Sequence, residues 1–263
     1  MSRRTLTDEQ WGRIEGHLPG RAGTRGRSGV NNRLFVDAIL WMAGNAARWR
    51  DLPDVFGMER GPCAVSALVA RRRLGEAVPR VRRHAGLRVC PDRQYDLEGP
   101  RRCDWRKRGA EAAAIGRSRG GLTTKLHAAV DAIGLPIRIH PTPGHRGDAP
   151  QAESLLTGLQ GVGHVIADAA YDADPLRTFI ADNLGATAQI KANPSRTKKP
   201  SIDWRLYKER HQVQCFFNKL KRFRRIALRC EKTLPAFMSF VHLACAMIWL
   251  RQMQTAPSRS QAN

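Results

Sequence analysis

Residues 164–174 read HVIADAAYDAD, in which a short apolar run, 165–167, is followed at once by Asp168. The stretch HVIADAAYD, residues 164–172, predicts a buried strand, and Asp168 is expected towards its carboxyl end. A helix is predicted from Asp174 to Asn183, with Pro175 in its first turn, and a short strand from Ala186 to Lys191. The stretch therefore predicts strand, helix and strand, with a carboxylate where the first strand ends.

Upstream, residues 122–144 alternate between apolar and polar side chains around a turn at Gly134. This pattern predicts an antiparallel β-hairpin. A helix is predicted next, with Asp148 as its N-cap and its end near Leu159. The expected architecture is a mixed α/β fold.

A second informative stretch is YKERHQVQCFFNKLKRFRRIA, residues 207–227. Its apolar side chains recur at helical spacing, which predicts one amphipathic helix. Along this helix two, three and six residues separate Tyr207, Arg210, Gln214 and Lys221.

That spacing resembles the Tyr-Arg-Glu-Lys signature of insertion-sequence transposases of the DDE type, specifically the insertion-sequence-five family. The likeness covers about four fifths of the chain and includes TLTDEQWGRIEGHLPG, GRSRGGLTTKLHAAVDAIGLPIRI and the C-terminal FVHLACAMIWLR. It implies an RNase H-like mixed sheet with flanking helices, preceded by a small helical N-terminal domain. It also implies an enzyme that cleaves and joins DNA strands at the ends of its own mobile element.

The resemblance implies a catalytic site built from three carboxylates and two Mg²⁺ ions. Two ions about 4 Å apart can activate the attacking oxygen and stabilise the leaving one, and each ion needs anionic oxygen ligands. Asp168 matches the second acid and is the expected metal ligand, while Asp172 is either an alternative ligand or a cap for the next helix. Gln214 stands where the family has Glu, and its uncharged amide supplies no carboxylate.

The resemblance also implies a DNA-binding edge on the predicted helix. Arg210 and Lys221 are eleven positions apart, about three turns, and are expected on the side of Gln214, facing DNA phosphates. Tyr207 is expected to position the same backbone. Three further arginines extend this basic edge: Arg222, Arg224 and Arg225.

The segment from Met58 to Arg108 does not resemble the family, and thirteen of its 51 residues are Arg. The tracts on either side of the segment have the lengths that the family has. The segment therefore has the expected number of residues, although their identities differ from those of the family. Shifted by one base, permitted codons for Met58 and the following Glu encode Trp, and those for residues 92–96 encode Ile-Asp-Asn-Thr-Thr, close to the family's first acid. We therefore hypothesise that residues 58–108 are translated out of frame, with the frame restored at about Gly109-Ala110. The segment is then expected to be irregular, without its central strand, and Asp92 or Asp96 is at best a substitute acid.

The chain carries 45 basic and 23 acidic residues, a net charge of +22, which suits a polyanionic partner. An Arg excess from a GC-rich gene is the alternative explanation. The resemblance implies double-stranded DNA, namely the terminal inverted repeats of the element, and at least a dimer acting on two ends. The Arg-rich run Gly116–Gly121 is expected to be a basic loop touching DNA, because it lacks the Lys-Ser/Thr ending of a phosphate-cradling loop.

The six cysteines form no CxxC pair, so neither a zinc site nor a disulfide framework is predicted, and a reducing compartment is expected. The N-terminus shows no secretory signal pattern. Residues 234–250 are apolar but only just reach membrane length, so a buried C-terminal helix is expected rather than a membrane span. The expected location is the cytoplasm, in association with the nucleoid.

Two helices are predicted near the N-terminus, the first with a capping box from Thr7 and Gln10 and the second capped by Asn31 or Asn32. They are either a DNA-reading unit or two ordinary packed helices. The predicted domains are 1–57, the aberrant segment 58–110, a core 111–253 and a disordered tail 254–263.

Three functional hypotheses follow. The chain is a Mg²⁺-dependent transposase, a non-catalytic DNA-binding remnant of one, or the non-folding product of a decayed element. The loss of the third carboxylate and of the segment carrying the first favours the second and third for this copy.

Overall fold

A computed structural model describes residues 5–18, 31–57, 87–91, 113–118 and 121–255, with the backbone alone for 87–91 and 254–255. The chain divides into two compact units, one of residues 1–79 with 220–263 and one of residues 80–219. The predicted linear domains therefore need correction, because the C-terminal helices cluster with the N-terminal ones and not with the sheet. The predicted tail is also corrected, since residues 254–255 belong to a helix.

The described helices and strands are, in chain order, α1 (Asp8–Glu15), α2 (Asn32–Asn45), β1 (Leu87–Pro91), β2 (Gly116–Ser118), β3 (Gly121–Val130), β4 (Pro136–Pro143), α3 (Ala149–Leu156), β5 (His164–Ala167), α4 (Asp174–Leu184), β6 (Thr187–Ile190), α5 (Trp204–Lys208), α6 (His211–Lys221), α7 (Arg224–Ala227) and α8 (Leu234–Thr255). Short 3₁₀ turns occupy Trp49–Asp51, Asp54–Phe56 and Ala169–Tyr171.

The second unit contains a six-stranded mixed sheet whose central strand is β1. β1 is antiparallel to β3 and parallel to β5, and β5 is parallel to β6. β3 and β4 form the predicted antiparallel hairpin, and β2 also pairs with β3. The expectation that the central strand is missing is wrong for Leu87–Pro91, because its backbone pairs on both sides. The strand ends at Pro91, which has no N–H to continue a ladder.

Three local predictions in this unit are corrected. α3 ends at Leu156 instead of Leu159, and the Arg138 guanidinium donates to the carbonyls of Ser154, Leu155 and Thr157 at 2.8–3.1 Å, which satisfies its last turn. Asp148 occupies the N-cap position without capping α3 through its side chain, because Oδ1 accepts from Lys125 Nζ at 2.8 Å. Residues 116–118 form a strand where a loop was predicted.

The core of the second unit lies between the sheet and helices α3 and α4. It is made of small and branched side chains with one aromatic ring: Ala129, Ala152, Leu155, Leu156, Val165, Ala167, Tyr171, Leu176, Ile180, Ala186 and Ile190. The strand predicted over 164–172 is confirmed only for His164–Ala167, because Ala169–Tyr171 forms a 3₁₀ turn. The helix from Asp174 and the strand near 187–190 are confirmed.

The first unit is helical in the part that the structure describes. The capping box of Thr7 and Gln10 on α1 is confirmed, and Asn31 caps α2 by accepting from Leu34 N–H at 2.9 Å. Residues 36–40 and 42–44 of α2 are buried. That these two helices form a DNA-reading unit stays a prediction.

The C-terminal apolar segment forms the long helix α8, as predicted. By length and composition its residues Leu234–Met253 match a membrane span, yet 61% of the most apolar window is buried within the protein. Such burial is typical of the core helix of a folded unit.

Candidate active site and nucleic-acid interface

Asp168 lies at the carboxyl end of β5, as predicted. Its backbone begins the 3₁₀ turn 169–171, and Oδ1 accepts from Ala170 N–H at 3.0 Å. In the parallel register Val89 of β1 lies opposite Ala167, so β1 and β5 end at the same edge of the sheet. Asp92 and Asp96, the candidate substitutes for the first acid, lie outside the described residues.

Asp172 is neither a helix cap nor exposed. The residue before α4 is Ala173, and no side chain caps that helix. The Asp172 side chain is fully buried between two guanidinium groups, with Arg177 Nη2 at 2.8 Å and Arg196 Nε at 3.0 Å. Asn193 N–H donates to its Oδ2 at 2.7 Å. The predicted cap is therefore wrong, because the carboxylate turns towards these donors.

The same contacts set the charge state of Asp172. Burial alone raises the pKa of this carboxyl, but the hydrogen bonds from Asn193 and Arg177, with the positive charges of Arg177 and Arg196, outweigh it. The pKa therefore lies below its ordinary value, and the group is held as a carboxylate. A carboxylate that already accepts from three donor groups has little capacity left for a metal ion.

Tyr207 lies on α5, which packs against β5 and β6. Asp203 begins this short helix by accepting from the N–H groups of Arg205 and Leu206. The exposed Trp204 meets the Tyr207 ring edge-on at 5.6 Å, and the Arg210 guanidinium lies 5.8 Å from the centre of that ring. A pair of aromatic rings, one exposed and one partly buried, thus lies beside a guanidinium on a helix that packs against the strand preceding Asp168.

The single predicted helix over 207–227 is wrong, because the α-helical ladder breaks after Lys208. Glu209 and Arg210 form a turn between α5 and α6 in which N–H groups bond to carbonyls three residues back. The Lys208 carbonyl, which a continuous α-helix would offer to Gln212 N–H, instead faces His211 Nδ1 at 3.0 Å. The side chain of His211 thus takes the place of a helical hydrogen bond.

Gln214 is exposed on α6, and Lys221 is the last residue of that helix. Lys221 is seven positions after Gln214, almost two whole turns, so both lie on one side of α6 as predicted. Arg210 precedes the helix in the turn, one turn before Gln214.

The arginines after α6 point in different directions. Arg222 and Arg224 are exposed, whereas Arg225 is 8% exposed. Arg225 pairs with Glu231 at 2.5 Å, donates to the Ala47 carbonyl and lies over the Phe240 ring. The prediction that Arg225 extends an exposed basic edge is therefore corrected, since its guanidinium is buried and paired with Glu231 within the first unit.

Among the described residues, no group of three His, Cys, Asp or Glu side chains could hold a metal ion. Asp172 is saturated by arginines, and position 214 offers an amide. The described residues therefore do not fit a complete two-metal site.

Sequence reasoning missed the pairing of Asp172 with Arg196 across 24 positions. The only signal was the run KANPSRTKKP at 191–200, which follows a strand and holds four basic residues. Nothing in that run says which of its cations turns inward.

Comparison with known families matches two models to the chain. Residues 86–249 match "Transposase DDE domain", and residues 6–63 match "Putative transposase of IS4/5 family". The two matches leave 64–85 uncovered and reach into both ends of the segment 58–108. The prediction that no part of this segment resembles the family is therefore wrong at both ends of the segment.

Two relatives extend this result. The chain is 82% identical over 130 residues, 49% of this chain and all of the relative, to "Putative transposase for insertion sequence element IS6501" of Brucella ovis. It is 57% identical over 54 residues, 20% of this chain and 42% of the relative, to "Uncharacterized protein y4sN" of Sinorhizobium fredii. No solved structure matches. The chain belongs to the DDE-type transposases of insertion sequences, a family whose members transfer phosphoryl groups of DNA and generally use divalent metal ions.

Proposed function

We propose that this transposase binds double-stranded DNA at the terminal inverted repeats of its element and is impaired in strand cleavage and transfer. The observation that carries the proposal is the sheet edge where β1 and β5 end together, with Asp168 directly after β5. Side chains at the carboxyl ends of adjacent parallel strands lie close together. A site that cleaves DNA with metal ions needs its carboxylates to be close together in this way.

The strand order supports an RNase H-like core. Along the sheet β3 lies between β4 and β1 and is antiparallel to both, while β1, β5 and β6 follow in that order and are parallel to one another. In such a sheet the strand carrying the first acid is central and the strand carrying the second is its parallel neighbour. β1 and β5 occupy those two places.

The proposed DNA-contacting residues are Tyr207 and Arg210 of the second unit and Lys221, Arg222 and Arg224 of the first unit. Arg210 beside the Tyr207 ring offers a guanidinium to phosphate oxygens, and the ring supports it by a cation–π contact. Arg225 is left out, because its guanidinium is buried.

Impairment is proposed from the donor set. The family chemistry needs Mg²⁺ held by carboxylates, and Mg²⁺ prefers anionic oxygen. Asp168 is the one described residue that we assign as a ligand, Gln214 replaces an acid, and Asp172 is paired with arginines. A chain that keeps the DNA-contacting residues without this donor set acts as a binding remnant of the enzyme.

The frame-shift hypothesis remains a proposal about residues 58–108. The gene and its flanks can be sequenced around codons 57–58 and 108–110. Compensating single-base changes there support the hypothesis, and codons with no family-like alternative frame refute it. In that second case Asp92 and Asp96 become the first positions to substitute in a search for the first acid.

The binding proposal is tested with a labelled duplex carrying the terminal repeat and a scrambled duplex of equal length, titrated at several NaCl concentrations. We expect preference for the repeat and a log–log salt slope that falls by about 0.9 for each lost phosphate contact in Arg210→Ala and Lys221→Ala. Lys232→Ala, at an exposed lysine that is not among the proposed DNA-contacting residues, is the matched control. Equal slopes in all variants would refute these contacts, and no binding at all would refute the function.

The proposed assembly is a homo-oligomer of at least two chains, because two element ends must be handled together. Sedimentation of the chain with and without the repeat duplex measures this. A complex of one protein chain with two repeat duplexes at saturating DNA would contradict the proposed homo-oligomer. The proposed location is the cytoplasm, in association with the nucleoid.

A further inference from the structure

We propose that residues 191–200 form a second DNA-phosphate contact next to the edge of the sheet where Asp168 lies. We also propose that Asp172 is the residue that positions this contact. This inference rests on the proposed DNA binding. It assigns Asp172 the role of holding a basic loop, in place of metal ligation or helix capping.

The loop leaves the sheet beside Asp168. It follows β6, which is parallel to β5, so both strands end at the same edge. Lys191 N–H bonds to the carbonyl of Ala167, the residue before Asp168, at 3.4 Å. The first residue of the loop therefore lies next to the strand end that presents the proposed acid.

The loop is strongly basic on its exposed side. The run KANPSRTKKP contains three lysines and one arginine and no acidic residue. Lys191, Lys198 and Lys199 are exposed, while Arg196 turns inward to Asp172 and Asp174. Exposed ammonium groups fit the phosphate oxygens of a nucleic-acid backbone.

Asp172 fixes the loop by accepting hydrogen bonds both from the backbone of the loop and from one of the loop's side chains. Its Oδ2 accepts from Asn193 N–H at 2.7 Å and from Arg196 Nε at 3.0 Å, while Oδ1 accepts from Arg177. Arg177 also donates to the Ile190 carbonyl at 2.8 Å, which ties the end of β6 to the same carboxylate. A loop fixed before binding loses less conformational entropy when it contacts its partner.

Two opposite effects make the role of Asp172 testable. Asp172→Asn removes a negative charge, and general electrostatics alone would then strengthen binding to a polyanion. Release of the lysine loop predicts weaker binding instead. Asp182→Asn is the matched control, because Asp182 is an exposed acid on α4 and its loss changes the net charge equally.

The experiment measures fluorescence anisotropy of the full chain with a labelled random-sequence duplex between 50 and 200 mM NaCl. For the double variant Lys198→Ala with Lys199→Ala, we expect the salt slope to fall by about 1.8, so its affinity loss over this range is about twelvefold smaller than that of the wild type. Asp172→Asn is expected to lower both slope and affinity, whereas Asp182→Asn raises affinity slightly. A purely structural role of Asp172 would leave the slope of the folded variant unchanged.

The outcomes separate this inference from the proposed function. Wild-type binding that is salt-dependent, with an unchanged slope in the lysine double variant, overturns the loop contact alone. An unchanged slope in a folded Asp172→Asn variant overturns the positioning role. Absence of any salt-dependent binding by the wild type overturns the proposed function and this inference together. If circular dichroism shows that Asp172→Asn does not fold, Arg196→Gln is measured in its place and must lower the slope by more than the 0.9 of a single contact.

Discussion

Acidification should destabilise the sheet unit through His127. This residue lies on β3 and is fully buried, with Nε2 2.8 Å from Thr142 Oγ1. Its Nδ1 has no hydrogen-bond partner within the described part of the chain. Burial lowers the pKa of His127 from 6.5 to about 4, with smaller contributions from neighbouring charges.

The sign and size of the effect follow from proton linkage. Below pH 6.5 the unfolded chain binds a proton at His127 that the folded chain does not, so stability falls as the pH falls and the loss is complete near pH 4. A pKa of about 4 in place of 6.5 corresponds to about 3 kcal/mol over the whole range. Between pH 7.5 and 5.0 the expected loss is about 2 kcal/mol.

The assay is urea unfolding at pH 7.5 and 5.0, followed by circular dichroism, for the wild type and His127→Asn. The difference between the two pH values should be about 2 kcal/mol smaller in His127→Asn. His145→Asn, an exposed histidine of the same unit, is the control and should keep the wild-type difference. The reasoning is refuted if His127→Asn and the wild type lose the same stability on acidification.

Three further predictions concern packing and activity. Arg225→Ala should lower the free energy of unfolding in urea by about 3 kcal/mol, because it leaves the Glu231 carboxylate without its partner. The control Arg224→Ala, at an exposed arginine, should change it by no more than about 0.5 kcal/mol. Equal losses in the two variants would contradict the inward placement of Arg225. Leu155→Ala should lose about 2–5 kcal/mol in the same measurement, since the side chain is fully buried in the sheet core, and a loss below about 1 kcal/mol would mean that the core is looser than described. Gln214→Glu alone should not restore nicking of element ends in a gel assay with Mg²⁺, and recovery by this single change would contradict the loss of the first acid.

Short-range patterns in the sequence predicted much of the fold. The hairpin around Gly134 and the strand before Asp168 were predicted because alternation and apolar runs report burial directly. The cap at Asn31 and the capping box of Thr7 were predicted because they depend on residues three positions apart. The C-terminal helix was predicted from its long apolar run.

Long-range pairing explains the failures. Asp148 and Asp172 were predicted as caps, yet Asp148 bonds to Lys125, 23 positions away, and Asp172 bonds to Arg196, 24 positions away, a choice that no local pattern contains. The break after Lys208 depends on a side-chain bond from His211. The strand Leu87–Pro91 was missed because the whole segment around it was interpreted as frame-shifted, although residues from 86 onward match the family and the strand pairs with two neighbours.

The candidate site was predicted in part. Asp168 at a strand end and Gln214 with Lys221 on one side of a helix follow from spacing. The inward turn of Arg225 does not, because alternating exposed and buried arginines look alike in sequence.

The most direct test of the account is incubation of the full chain with linear DNA carrying both element ends and Mg²⁺, with bound and nicked DNA measured in the same samples. The account predicts a retained protein–DNA complex and no nicking at the element boundary, while a chain with residues 58–108 restored to the family frame and Gln214→Glu nicks that boundary. Boundary nicking by the unaltered chain would contradict the account.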